Sequence, residues 1–203
     1  MPDEDRKEPM TMTGTTTTPA TLDAERADLL AELADARNML TNTVRGLTDE
    51  QAGQKPTVSA LCLGGLVKHV AFTEESWLRF VVEGPSAMSF ALPEGVTWAD
   101  FMSGQARELP QWAVDRERDF QMLPEDTLLA ILDRYARVAA RTEEIVAAVE
   151  DLSATWPVPD APWNEPGSVR SIRRVLIHVI AETTQHAGHA DILRESIDGQ
   201  ATT

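Results

Sequence analysis

Between Ile172 and Ile197 the chain alternates steps of four and three: Ile172, Leu176, Val179, Thr183, His186, Ala190, Leu193 and Ile197. That is the spacing of a helix whose seam is buried in a bundle. The helix is predicted from about Ser168 to Gly199, which supplies the helix-ending glycine. Three earlier stretches carry the same period. The first starts near Thr21 or Asp23, where a capping residue precedes Leu22, Leu29, Leu30, Leu33, Met39, Leu40 and Val44. Gly46 and the run TDEQAGQKP end it, and Pro56 bars continuation. The second runs from roughly Ser59 to Val82, with Leu63, Leu66, Val70, Thr73, Trp77 and Val81 facing inward. The third opens at Pro124 and carries Leu128, Ile131, Leu132, Tyr135, Val138, Ala139, Thr142, Ile145, Val146 and Val149.

What lies between is less regular. GPSAMSFALPEG is rich in breakers, and the segment from Thr97 to Leu123 returns to a polar-faced helical character. Residues 84–123 are therefore read as an irregular helical insertion between the second and third long helices, in which Trp98, Phe101 and Trp112 either wall a pocket or pack as a satellite over the bundle. ATWPVPDAPWNEPG is a Pro- and Trp-rich crossover into the last helix. Residues 1–20 are charged and Thr-rich with no large hydrophobe beyond methionine, so they are expected to form a disordered tail. No strand pattern stands out. The fold class is all-α: a four-helix bundle over residues 21–199 with a decorated connection.

Composition narrows the function. Thirty-three acidic against 18 basic residues give a formal net charge of −15, which repels nucleic-acid phosphates and anionic membrane surfaces alike. No apolar run reaches the ~18 residues needed to span a bilayer, and no apolar signal core is visible, so the cytoplasm is the expected compartment. The single cysteine, Cys62, excludes an intramolecular disulfide and sits between Leu61 and Leu63 as a packed thiol. The partners implied are small molecules, and homodimerisation through an outer helix face is compatible with the pattern.

The chemistry concentrates on the last helix, which holds three of the four histidines. At about 100° per residue, His178, Glu182, His186 and His189 occupy less than a quarter of its circumference. A carboxylate and an imidazole turned toward a core must pair, bind a metal or remain costly. The metal reading uses Glu182 and His186, four residues apart, with the third donor from another helix. His69, on the edge of the second stripe, is the histidine left to supply it. Three N/O donors without a thiolate suit zinc, nickel or ferrous iron with an open position, zinc being the choice on ligand type. The pattern is neither HExxH nor the paired Glu-x-x-His of di-iron bundles. His178 and His189 remain as outer-shell partners, substrate contacts or general bases.

GGLVKHVAFTEESWL around His69 and ETTQHAGHADILRESIDG around His186 resemble the DinB-like superfamily, in particular the branch with mycothiol-dependent maleylpyruvate isomerase and related thiol S-transferases. LTDEQAGQKP and SVRSIRRVLIHVIAET match the same habits. The resemblance implies a four-helix bundle with one divalent metal on His69, Glu182 and His186. It further implies a low-molecular-weight thiol such as mycothiol as cosubstrate, activated against electrophiles for detoxification. His189 stands where many relatives carry Gln, so it is a catalytic candidate from its place on the helix face and not from the resemblance. Arg194 is the other catalytic candidate, Trp77 a cofactor contact and Asp191 a contact or support residue. Arg194 has a competing role as ion-pair partner of Glu195 or Asp191. A metal-dependent hydrolase on the same site and a non-catalytic metal-binding bundle are the alternatives.

Overall fold

The computed structural model describes residues 22–201, and the expected tail over residues 1–20 lies outside them. Four long helices make the bundle: α1 (Ala24–Asn42), α3 (Leu63–Glu83), α6 (Leu128–Ala148) and α7 (Ile172–Asp198). Helix α7 packs on α1 and α3, and α6 packs on α3 with a lighter contact to α1. The all-α bundle expected from periodicity is the fold observed. No helix among the described residues is long and apolar enough to cross a membrane.

Local chemistry sets the helix ends. Asp23, Thr127 and Ser171 each accept a backbone N–H at an N-terminus, and Gly199 stops α7 in the left-handed region at φ 78°. Helix α6 thus starts at Thr127, since Pro124 stands in a preceding turn, and α7 starts at Ser171 rather than Ser168. The run TDEQ, read as part of a breaker, instead folds into the short α2 (Asp49–Ala52), with Thr48 and Gln51 capping each other reciprocally. The insertion opens on a 3-10 turn (Gly84–Ala87) and holds two short α-helices, α4 (Trp98–Met102) and α5 (Gln111–Asp119). The Pro-rich crossover contains a two-stranded antiparallel ribbon, β1 (Thr155–Pro157) against β2 (Val169–Ser171), which periodicity did not reveal.

The apolar core falls into two clusters. One gathers Leu40, Val44, Leu66, Val70, Ile131, Tyr135, Ala190 and Leu193; the other gathers Leu33, Leu78, Phe80, Ile145, Val146, Ile172, Leu176 and Val179. Met39, assigned to the inward stripe of α1, is 47% exposed. Between the clusters each long helix contributes one buried polar residue: Arg37, Glu74, Thr142 and Thr183. Arg37 grips both Glu74 oxygens through Nε and Nη2, and the Thr142 hydroxyl donates to Glu74 Oε1. The Tyr135 hydroxyl lies beside this layer without a hydrogen bond of good geometry, and burial first, then the Glu74 charge, push its pKa up.

A glycine pair fixes the insertion to the bundle. A Cβ on Gly65 would lie 2.1 Å from the Phe120 carbonyl oxygen, and one on Gly64 would lie 2.2 Å from the Met122 sulfur. Only glycine lets the chain leaving α5 lie this close to α3. The Cys62 thiol, 1% exposed, reaches the same Phe120 carbonyl at 3.8 Å.

Candidate metal centre

His69 is carried by α3, and Glu182 and His186 by α7, two helices in direct contact. One donor atom from each of these three residues lies within 4.8 Å of the other two. His69 is 4% exposed, and its ring meets that of His186 edge-on with centroids 5.1 Å apart. Glu182 lies between two imidazoles, with oxygens 3.6 Å from His186 Nε2 and 3.8 Å from His178 Nε2.

The electrostatics favour neutral rings that can donate lone pairs. Burial, helped by the charge of His186 and of Arg116, pushes the His69 pKa down to about 3. Burial likewise lowers His186, against an upward pull from Glu182. His69 Nδ1 is buried with no hydrogen-bond partner, while its Nε2 stands 3.4 Å from the Thr73 hydroxyl. A buried, neutral imidazole with an unused nitrogen beside a carboxylate and a second imidazole is a donor set that fits a single divalent cation.

The remaining candidates are placed as follows. His189 is exposed, with Nδ1 3.5 Å from His186 Nδ1. His178 packs edge-on against Trp77 at 4.9 Å, and burial first, then the charge of Arg170, lower its pKa. Trp77 is half-buried and carries the Arg170 guanidinium over its ring face at 4.6 Å. Asp191 is half-buried on α7. Arg194 is 4% exposed and holds the carbonyls of Thr43 and Arg45, the Asp198 carboxylate and Gln200. Its donors are thus spent on tying the end of α7 to the loop after α1, about 12 Å along the axis from His186. The carboxylate it meets is Asp198, one turn onward.

Three neighbours of the site were not singled out from sequence. Phe120 stacks on His69 with centroids 3.7 Å apart and planes 21° from parallel, and its ring also faces His186 edge-on at 5.8 Å. The charge of Arg116 reaches both histidines from α5. Arg170 arrives from β2. The GG dipeptide, which demands close approach by another segment, was the available signal for Phe120.

Comparison with curated protein sequences returns no match. A crystal structure described as the conserved protein of locus from Enterococcus faecalis superimposes with a TM-score of 0.59 at 16% identity. The superposition covers 89% of this chain and all of that one, and it shows a shared fold. A family profile described as mycothiol-S-transferase matches residues 28–199, through all four long helices and the three clustered donors, and the chain belongs to that family.

Proposed function

We propose that this protein is a metal-dependent thiol S-transferase that joins mycothiol, or a similar low-molecular-weight thiol, to electrophilic small molecules and so detoxifies them. The observation that carries this reading is the convergence of His69, Glu182 and His186 within 4.8 Å around a buried, unpartnered imidazole nitrogen. Family membership supports the thiol. Zinc suits two imidazoles and one carboxylate with a further position open, and nickel and iron are the other cations such a set accepts. When bound, the cation stabilises a thiolate, the reactive form of sulfur.

The chain's own groups do the rest. Phe120 and α5 shield one flank of the site from water, which strengthens the electrostatics within. His178 and His186 flank Glu182 at 3.8 and 3.6 Å without hydrogen-bonding it, which leaves its oxygens free for a cation. Exposed His189, against His186, takes the thiol proton. As the carbon–sulfur bond forms, the bond to the leaving group breaks and that group departs with its electron pair. Trp77, with Arg170 over its ring face and His178 against it, is the aromatic contact beside the site for the cosubstrates. Arg194, with every donor spent on anchoring α7, supports the site through the helix.

The test is thiol consumption against a bimane or chlorodinitrobenzene, run with mycothiol, bacillithiol and glutathione, alongside elemental analysis of untagged protein. Stoichiometric divalent metal and a rate that falls about a thousandfold in His186→Ala are expected, the loss of several kcal/mol of transition-state stabilisation. An unchanged rate in His186→Ala refutes the mechanism. Ester or amide hydrolysis without thiol consumption would transfer the site to the hydrolase reading.

A further inference from the structure

The protein has a net charge of −15, yet three guanidinium charges act on the histidines at and beside the candidate metal centre. Arg174, His178, Glu182 and His186 follow one another at four-residue spacing along α7, and Arg170 precedes them on β2. The charges of Arg170 and Arg174 both reach His178, and that of Arg116 reaches His69 and His186 from the other side. None of the salt bridges among the described residues involves Arg116, Arg170 or Arg174.

Arg170 is the informative one of the three. Arg116 and Arg174 are exposed and solvated, but Arg170 is half-buried with its Cζ 4.6 Å above the Trp77 ring. Stacking on an indole covers the faces of a guanidinium and leaves its in-plane N–H fork free. That fork matches a carboxylate, whose two oxygens accept it side by side. A partly desolvated cation without an anionic partner is costly unless a ligand supplies one. Trp77 packs against His178, whose Nε2 stands 3.8 Å from Glu182, so the fork lies two side chains from the candidate ligands.

The surrounding segments hold this geometry. Trp112 lies one turn before Arg116 on α5, and Trp163 sits in the connection that leads from β1 into β2, which carries Arg170. These two rings are packed together with Phe90, Trp98 and Phe101 at centroid distances of 5.2–6.2 Å. The aromatic cluster ties the two arginine-bearing segments to each other.

We infer that Arg170, stacked on Trp77, forms a carboxylate-binding subsite beside the metal centre, and that the electrophile carries the carboxylate. This deepens the transferase reading and rests on it for the identity of the ligand. A binding experiment separates the two. In chelator-treated protein, where no cation competes for the anion, calorimetric titration with benzoate should give a dissociation constant at least tenfold lower than with benzamide. Arg170→Gln should remove that preference, and Arg170→Lys, which keeps the charge but not the fork, should restore part of it. Equal binding of benzoate and benzamide, or a preference that survives Arg170→Gln, overturns the subsite whether or not thiol transfer occurs.

In the kinetic arm, with mycothiol as the thiol, the ratio of KM for iodoacetate to KM for iodoacetamide should rise about tenfold in Arg170→Gln. A parallel arm varies charge on the thiol, N-acetylcysteine against its methyl ester, with iodoacetamide as electrophile. Dependence on Arg170 in that arm alone would assign the carboxylate to the thiol and overturn the assignment to the electrophile. Arg170-dependent benzoate binding without any thiol transfer would keep the subsite and refute the transferase reading.

Discussion

The bundle holds two polar clusters side by side, and they differ in one respect. The layer of Arg37, Glu74, Thr142 and Thr183 is closed: Arg37 meets both Glu74 oxygens, Thr142 adds a third bond, and Thr183 donates to the Val179 carbonyl. The cluster of His69, Glu182 and His186 is open, with a buried ring nitrogen unpaired and carboxylate–imidazole distances too long for hydrogen bonds. Thr183 and Glu182 are neighbours in sequence, so one helix turns one residue to each cluster. A buried group satisfied by its own chain specifies packing, whereas one left unsatisfied beside a second imidazole and a carboxylate points outward to a ligand, as the lone Tyr135 hydroxyl does not.

Substitutions should separate the two clusters by sign. Glu74→Leu strands the Arg37 charge in the core and should lower the unfolding free energy by about 3–5 kcal/mol in urea titrations. Adding Arg37→Met to it should recover most of that loss, because the uncompensated charge goes too. His69→Leu in metal-free protein removes an orphaned polar atom, so stability should hold or rise, by about 1–3 kcal/mol at most, while metal affinity falls by more than the 10–100-fold typical of outer-shell changes. A large destabilisation from His69→Leu would show that the histidine is a structural one and erase the contrast.

Acid should act on the open cluster in a predictable direction. The folded His69 pKa, about 3, lies below its ordinary value of 6.5, so between those pH values the unfolded chain binds more protons. The stability contribution is full above pH 6.5 and declines as pH falls, by up to ~1.4 kcal/mol per pH unit. Asp119, pushed up to about 6 by burial, slopes the other way over the range between its ordinary value and 6. The quantity to measure is therefore the difference in urea midpoint between the wild type and His69→Leu across pH 7 to 4, which cancels Asp119.

The smallest effects come from two helical glycines. Gly65→Ala forces the Phe120 carbonyl away from α3 and should cost about 1–3 kcal/mol, and it should weaken metal binding by unseating the ring stacked on His69. Gly188, between His186 and His189, has open space where a Cβ would go, so Gly188→Ala should add about 0.5–1 kcal/mol by thermal melt. Equal outcomes for the two would mean that the insertion does not press on the bundle.

What the sequence disclosed follows from where each contact originates. Glu182 and His186 share one helix face with the apolar seam, so periodicity alone aligns them, and His69 follows as the remaining histidine on an inward stripe. Arg37 and Glu74 look like any charged helical positions until α1 and α3 are docked, because their burial is a property of the pair. Phe120 and Arg170 reach the site from α5 and β2, segments whose placement depends on a glycine notch and on ring packing between distant residues. Strands of three residues flanked by prolines carry too little alternation to be seen.

The fate of Cys62 has a consequence for a protein proposed to work among alkylating compounds. Its only thiol is sealed beneath the Phe120 carbonyl at the start of α3, 1% exposed. Reagents gathered at the site would therefore find the guest thiol and not the host's, so that Cys62 stays unalkylated through many turnovers.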